Sequence, residues 1–176
     1  MKARMKKLIS KKSIPILTLV MLGGVALVTG IAWAESTEYS VNCEFTYGGT
    51  HIAKQWVDED GVLHLRGITY GLSSTGGNIE IDIAGVCNHN YDLNTGDGNF
   101  WGGDHVVLVT WEGLTGTFRG SHSGIRVNHT EGSSGHVYQG IGGDFVGWKL
   151  RLNGTWDMSS AKSGIFEGIL HNPHGE

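Results

Sequence analysis

All nine histidines of the chain lie beyond residue 34, at His51, His64, His89, His105, His122, His129, His136, His171 and His174. Neutral imidazole can act as a general base, a proton shuttle or a metal ligand near neutral pH. His122, His129 and His136 recur at intervals of seven. On one continuous strand that spacing alternates faces, so only neighbouring strands can bring them together. There is no H-x-H or H-E-x-x-H motif, and no metal site is expected. His122 and His136 are the histidines expected to line a pocket; most of the others are expected on loops and surface.

Glu167 is the carboxylate best placed for acid–base work. It shares a strand face with Ile165 and Ile169, and on an apolar wall its pKa would rise. The competing reading turns the two isoleucines outward and leaves Glu167 solvated. Trp56, Trp101, Trp111, Trp148 and Trp156 supply large aromatic surfaces. Trp101, Trp111, Trp148 and Trp156 are candidate walls of an apolar ligand site, although the same residues could simply fill a core. Cys43 and Cys87 are the only two cysteines. In an oxidising compartment a disulfide between them is expected, worth about 4 kcal/mol by chain entropy.

Several common signatures are missing. Gly140-Ile141-Gly142-Gly143-Asp144-Phe145 lacks the third glycine of a dinucleotide fingerprint and leads into a strand. Gly120-Ser121-His122-Ser123-Gly124 puts histidine where a nucleophile elbow needs serine. Asp92-Leu93-Asn94-Thr95-Gly96-Asp97-Gly98 is out of register for a calcium loop and reads as an Asx-rich turn. Nothing in the sequence calls for a cofactor.

The elements positioning these residues are strands. Tyr39, Val41, Cys43, Phe45 and Tyr47 alternate with polar residues, as do Ile79, Ile81 and Ile83, and Trp148, Leu150 and Leu152. Further strands are expected over 51–57, 62–70, 104–112, 115–121, 135–141 and 164–170. Beyond the leader, no window holds a helical apolar period over three turns. Double glycines at 48–49, 76–77, 102–103 and 142–143 fall between these segments and suit tight hairpins. Glycines within strands, such as Gly67, Gly116, Gly120 and Gly147, suit the bends of a closed barrel. The expected fold is all-β: a small antiparallel barrel of about eight strands, over residues 35–176.

Residues 1–34 read as a leader. Lys2, Arg4, Lys6, Lys7, Lys11 and Lys12 precede an uncharged run from Ser13 to Ala34 that ends in Ala32-Trp33-Ala34. This is the layout of a signal peptide cleaved after Ala34. The run is also long enough to stay as a membrane anchor, which would make residues 13–34 the only membrane contact. Either outcome gives an exported domain, whether periplasmic, extracellular or on the cell surface. Removing the leader's six cations leaves seven basic residues against 17 acidic ones. Nucleic acid is therefore a poor partner.

The glycine-punctuated end of the chain, GHVYQGIGGDFVGWKLRLNGTW and then SGIFEGIL, runs from Gly135 to Leu170. It resembles the closing strands of allene oxide cyclase-like and dirigent-like barrels, with one residue more between Gly142 and Phe145. The resemblance implies a barrel and, in the cyclase branch, cyclisation or isomerisation steered by cavity shape with a carboxylate and bound water. No catalytic residue of that family maps onto this chain. The leading functional expectation is an exported barrel that binds an apolar or amphipathic small molecule. A cyclase- or isomerase-type enzyme and a cell-surface structural module are the alternatives, and an oligomer is compatible with each. A carboxylate in the cavity would favour the enzyme.

Overall fold

The computed structural model describes residues 36–48, 50–157 and 163–175. The expected leader, its cleavage site and any anchor lie outside them. Nine strands follow one another: β1 (Thr37–Tyr47), β2 (His51–Val57), β3 (Val62–Gly77), β4 (Glu80–Asp92), β5 (Gly98–Trp111), β6 (Leu114–Val127), β7 (Glu131–Gly143), β8 (Lys149–Asp157) and β9 (Ser163–Asn172). From β3 to β9 each strand pairs antiparallel with the next. β9 then pairs with β1, and β1 pairs with the C-terminal half of β3, which closes the barrel. The expected eight-stranded antiparallel barrel is what the chain forms.

β2 is the ninth strand, but it adds no stave. Tyr47 pairs with Leu72, the Gly48 amide donates to the Gly71 carbonyl at 2.8 Å, and His51 pairs with Thr69. β1 and β2 thus run along one edge of β3 as a single interrupted strand. All of β2 is exposed, and it extends the wall past one mouth of the barrel.

The double glycines divide the work differently from the hairpin reading. Gly76-Gly77 ends β3 and Gly142-Gly143 ends β7, but Gly102-Gly103 lies inside β5 at a register shift. There Asp104 adopts a left-handed φ of 56°. Before this bulge the even-numbered Phe100 faces inward; after it the odd-numbered His105, Val107, Val109 and Trp111 do. A bulge of this kind re-aims side chains. The strands β4 to β7 are also longer than the sequence pattern suggested.

The inward faces divide the barrel into two halves. One half is packed solid by Val41, Ile81, Ile83, Val107, Phe118, Leu150 and Leu170. Tyr39, Trp111, Phe145 and Trp148 cap it, with Tyr39 4.6 Å from Trp111 and Phe145 5.2 Å from Trp148 between ring centroids. The other half carries the polar inward residues and is not filled.

The disulfide expectation is corrected here. Cys43 and Cys87 are free, buried thiols. Cys43 pairs with Gly77 and Cys87 with Ile68, nine residues apart on β3. That is roughly 30 Å of strand at the usual rise, whereas a bridge needs Cα atoms within about 7 Å. Burial pushes Cys43 up to about 11 and Cys87 up to about 12.

Candidate functional site

The unfilled half encloses a cavity of about 170 Å³. Aromatic and aliphatic side chains from β1, β3, β5, β8 and β9 make most of its wall: Phe45, Ile68, Leu72, Phe100, Trp156 and Phe166. The polar part comes from Tyr70 on β3, Cys87 and His89 on β4, His122 and Arg126 on β6, and Ser134 and His136 on β7. No carboxylate is among the lining residues.

Inward parity places the histidines. On β6, His122 precedes Gly124 and Arg126 on one face; on β7, Ser134, His136 and Tyr138 do the same. His122 and His136 are register partners. Their rings stack 5.2 Å apart at 16°, while His129 sits in the hairpin turn between them. His105, behind them, is fully buried. It fits because Gly85 and Gly102 have no side chain: a Cβ on Gly85 would strike the imidazole, and one on Gly102 would lie 2.6 Å from His105 Nε2 and 2.9 Å from His122 Cε1.

One set of tautomers satisfies these contacts. His105 Nε2–H donates to the Val86 carbonyl at 3.2 Å, which leaves its Nδ1 as an acceptor. His122 Nδ1–H fills that role at 3.2 Å, with the Tyr70 hydroxyl 3.4 Å from the same nitrogen. His122 Nε2 then keeps its lone pair. It has no protein partner among the described residues, yet no buried side-chain polar atom among them lacks one. The atom is therefore open to the cavity and is a ready acceptor for a ligand's O–H or N–H.

A second chain of contacts runs along β7. Ser134 Oγ lies 2.7 Å from His136 Nε2, and His136 Nδ1 lies 2.8 Å from the Tyr138 hydroxyl. On β4, Cys87 Sγ is 3.3 Å from His89 Nε2. Burial, with neighbouring imidazoles, holds His122 and His136 down at about 3. Burial and then the Arg126 charge take His89 to about 4, and burial also lowers His105. At neutral pH the cluster is uncharged. The rings stack and bond to one another, and among the described residues no group of three or more His, Cys, Asp or Glu is placed to hold a metal ion.

The structure sorts the remaining candidates. Trp156 lines the cavity, its ring 5.1 Å from Phe100. Trp111 and Trp148 cap the packed end and do not reach the cavity. Trp101 is turned outward by the β5 bulge, with the Arg66 guanidinium 5.1 Å from its ring. Glu167 is exposed on the outer face between exposed Ile165 and Ile169, and its register partners are Asn42 and Asn153. The acid–base role expected for it is therefore withdrawn: the carboxylate points into solvent. Sequence reasoning missed Tyr70, His89, Arg126 and Ser134. Inward parity was the signal for Arg126 and Ser134, in step with His122 and His136, and for His89, in step with Ile81, Ile83 and Cys87 on β4. There the register shift adds its extra residue to β5 and leaves the alternation of β4 unbroken.

No family model, no curated protein and no solved structure matches the chain.

Proposed function

We propose that the barrel binds one small, largely apolar molecule in its unfilled half and does not transform it. The observation that carries this reading is the contrast within a single barrel: one half packed to its axis, the other holding a cavity of about 170 Å³ behind aromatic walls. A barrel of eight strands has room either for its own side chains or for one small ligand. An apolar protein cavity of about 150 Å³ is enough for a benzene-sized guest. His122 Nε2 adds one oriented acceptor, so a ring-sized guest that also carries a donor gains a hydrogen bond there. An exported setting is supported by the cationic start, the uncharged run and the Ala32-Trp33-Ala34 site.

Benzyl alcohol is a suitable first probe. It should change tryptophan fluorescence saturably through Trp156 and raise the melting temperature, since a molecule bound only to the folded state stabilises it. A linear, unsaturable response with no thermal shift would sink the reading.

Catalysis is the second reading, favoured by the Ser134–His136–Tyr138 contacts. Their order is that of a nucleophile, a base and an orienting group. Two facts rank it below binding. His136 at about 3 is a weak base at neutral pH, and the cavity offers none of the carboxylate that a cyclase-type barrel would use. Hydrolysis of 4-nitrophenyl acetate above background, lost in Ser134→Ala, would reverse that ranking.

A further inference from the structure

The wall of the cavity contains one charge. We propose that the molecule held there is an organic anion: a ring-sized apolar body lies inside the barrel, and its carboxylate meets the Arg126 guanidinium at the rim. This rests on the cavity reading above and names the ligand class for that site.

Arg126 has the inward parity of His122 and Gly124, so it belongs to the interior face of β6 and not to the outer surface. It lines the cavity near the hairpin end, half-buried, with its guanidinium 5.3 Å from the Tyr91 ring. That ring holds the planar group by cation–π contact without using its donors. The ion pairs of the described residues join His64 to Asp58, Arg119 to Asp104 and His171 to Glu38. None involves Arg126. Arg66 and Arg151 also lack an ion pair among the described residues, but Arg66 gives its donors to the Leu65 and His89 carbonyls and to Asn90, Arg151 is exposed, and only Arg126 lines the cavity.

The surroundings select the kind of anion. The histidines nearest the charge are neutral, so they supply no second cation. The backbone amides at this level are engaged in the strand ladders, since Arg126 pairs with Gly98 on one side and Gly132 on the other. A phosphate dianion needs several donors, and this rim has one fork. A planar carboxylate matches a guanidinium with two parallel hydrogen bonds. The aromatic wall below it then takes the apolar body.

Benzoate and benzyl alcohol separate the two claims, because they share a ring and differ in charge. Titrated at pH 7.5 and low salt, benzoate should bind roughly tenfold or more tightly than benzyl alcohol. That ratio should shrink as salt is raised. In Arg126→Gln it should collapse toward one, and Arg126→Lys should restore part of it; circular dichroism and the melting temperature establish that each variant folds. The salt series needs only the natural chain and decides the question even if Arg126→Gln does not fold. Benzyl alcohol binding with no preference for benzoate, or a preference that survives Arg126→Gln or high salt, would overturn the anion proposal and leave the cavity reading standing. Saturable binding by neither probe would overturn both.

Discussion

His122 and His136 face each other across the β6–β7 ladder, with ring centroids 5.2 Å apart and planes 16° from parallel. Two imidazoles so placed cannot both carry a proton without like-charge repulsion in a buried space. The barrel interior is therefore built around the neutral form.

A pH dependence of stability follows. His122 and His136 are held at about 3 and His89 at about 4 in the fold, against about 6.5 in an unfolded chain. Below pH 6.5 the unfolded chain takes up protons that the folded one refuses, so these groups lower stability as pH falls. Their contribution is complete above pH 6.5 and is lost progressively toward pH 3–4. Each histidine contributes about 1.4 kcal/mol of loss per pH unit in that window. Urea denaturation at pH 7.5, 6 and 5 should show the decline, with a shallower slope in His122→Gln. Equal stability at pH 7.5 and 5, or a slope unchanged in that variant, would contradict neutral burial.

The hairpin geometry behind this pair was only partly legible in the sequence. The intervals of seven from His122 to His129 to His136 permitted convergence but did not require it; a turn centred on His129 is what makes the outer two partners. Strand alternation and glycine turns pointed to the barrel. What alternation could not reveal was its own interruption. Trp101 and Trp111 have the same parity, so a regular β5 would put both on one face. The bulge at Gly102 to Asp104 turns Trp101 outward and Trp111 inward, and aims His105 at His122. Glu167 failed for a simpler reason: a short apolar–acidic–apolar pattern does not say which face is wet, and here Phe166 and Leu170 face the core.

The thiols offer a second check. Free, buried cysteines with pKa values of about 11 and 12 should resist maleimide labelling in the native protein at pH 7.5. Two labels per chain should appear after unfolding without reductant. Dithiothreitol should leave the melting temperature unchanged. A chain that takes no label when unfolded and unreduced would restore the disulfide.

Close packing under His105 can be tested by a paired substitution. Gly85→Ala places a methyl group against the His105 ring, and overpacking of this kind costs about 1–3 kcal/mol. Because the near contacts at that position are all with the His105 side chain, Gly85→Ala combined with His105→Ala should be less destabilised than the two single losses added together. Simple additivity would mean that Gly85 is not there to admit the imidazole.

Glu167→Gln should be nearly silent. An exposed carboxylate away from the cavity should alter stability by no more than about 0.5 kcal/mol on substitution, with benzyl alcohol affinity unchanged. A clear loss of ligand binding would bring the outer face of β9 back into the site.

The most direct measurement on the cavity is long-range ¹H–¹⁵N NMR of the imidazoles during titration with benzyl alcohol. His89, His122 and His136 line the space, whereas His51 and His129 are exposed outside it. Ligand in the barrel should shift the first three saturably along one binding curve, with the largest change at His122 Nε2 as its lone pair accepts a hydrogen bond, and should leave the other two in place. Unmoved interior histidines, or equal drift of all five, would contradict a ligand cavity in this barrel.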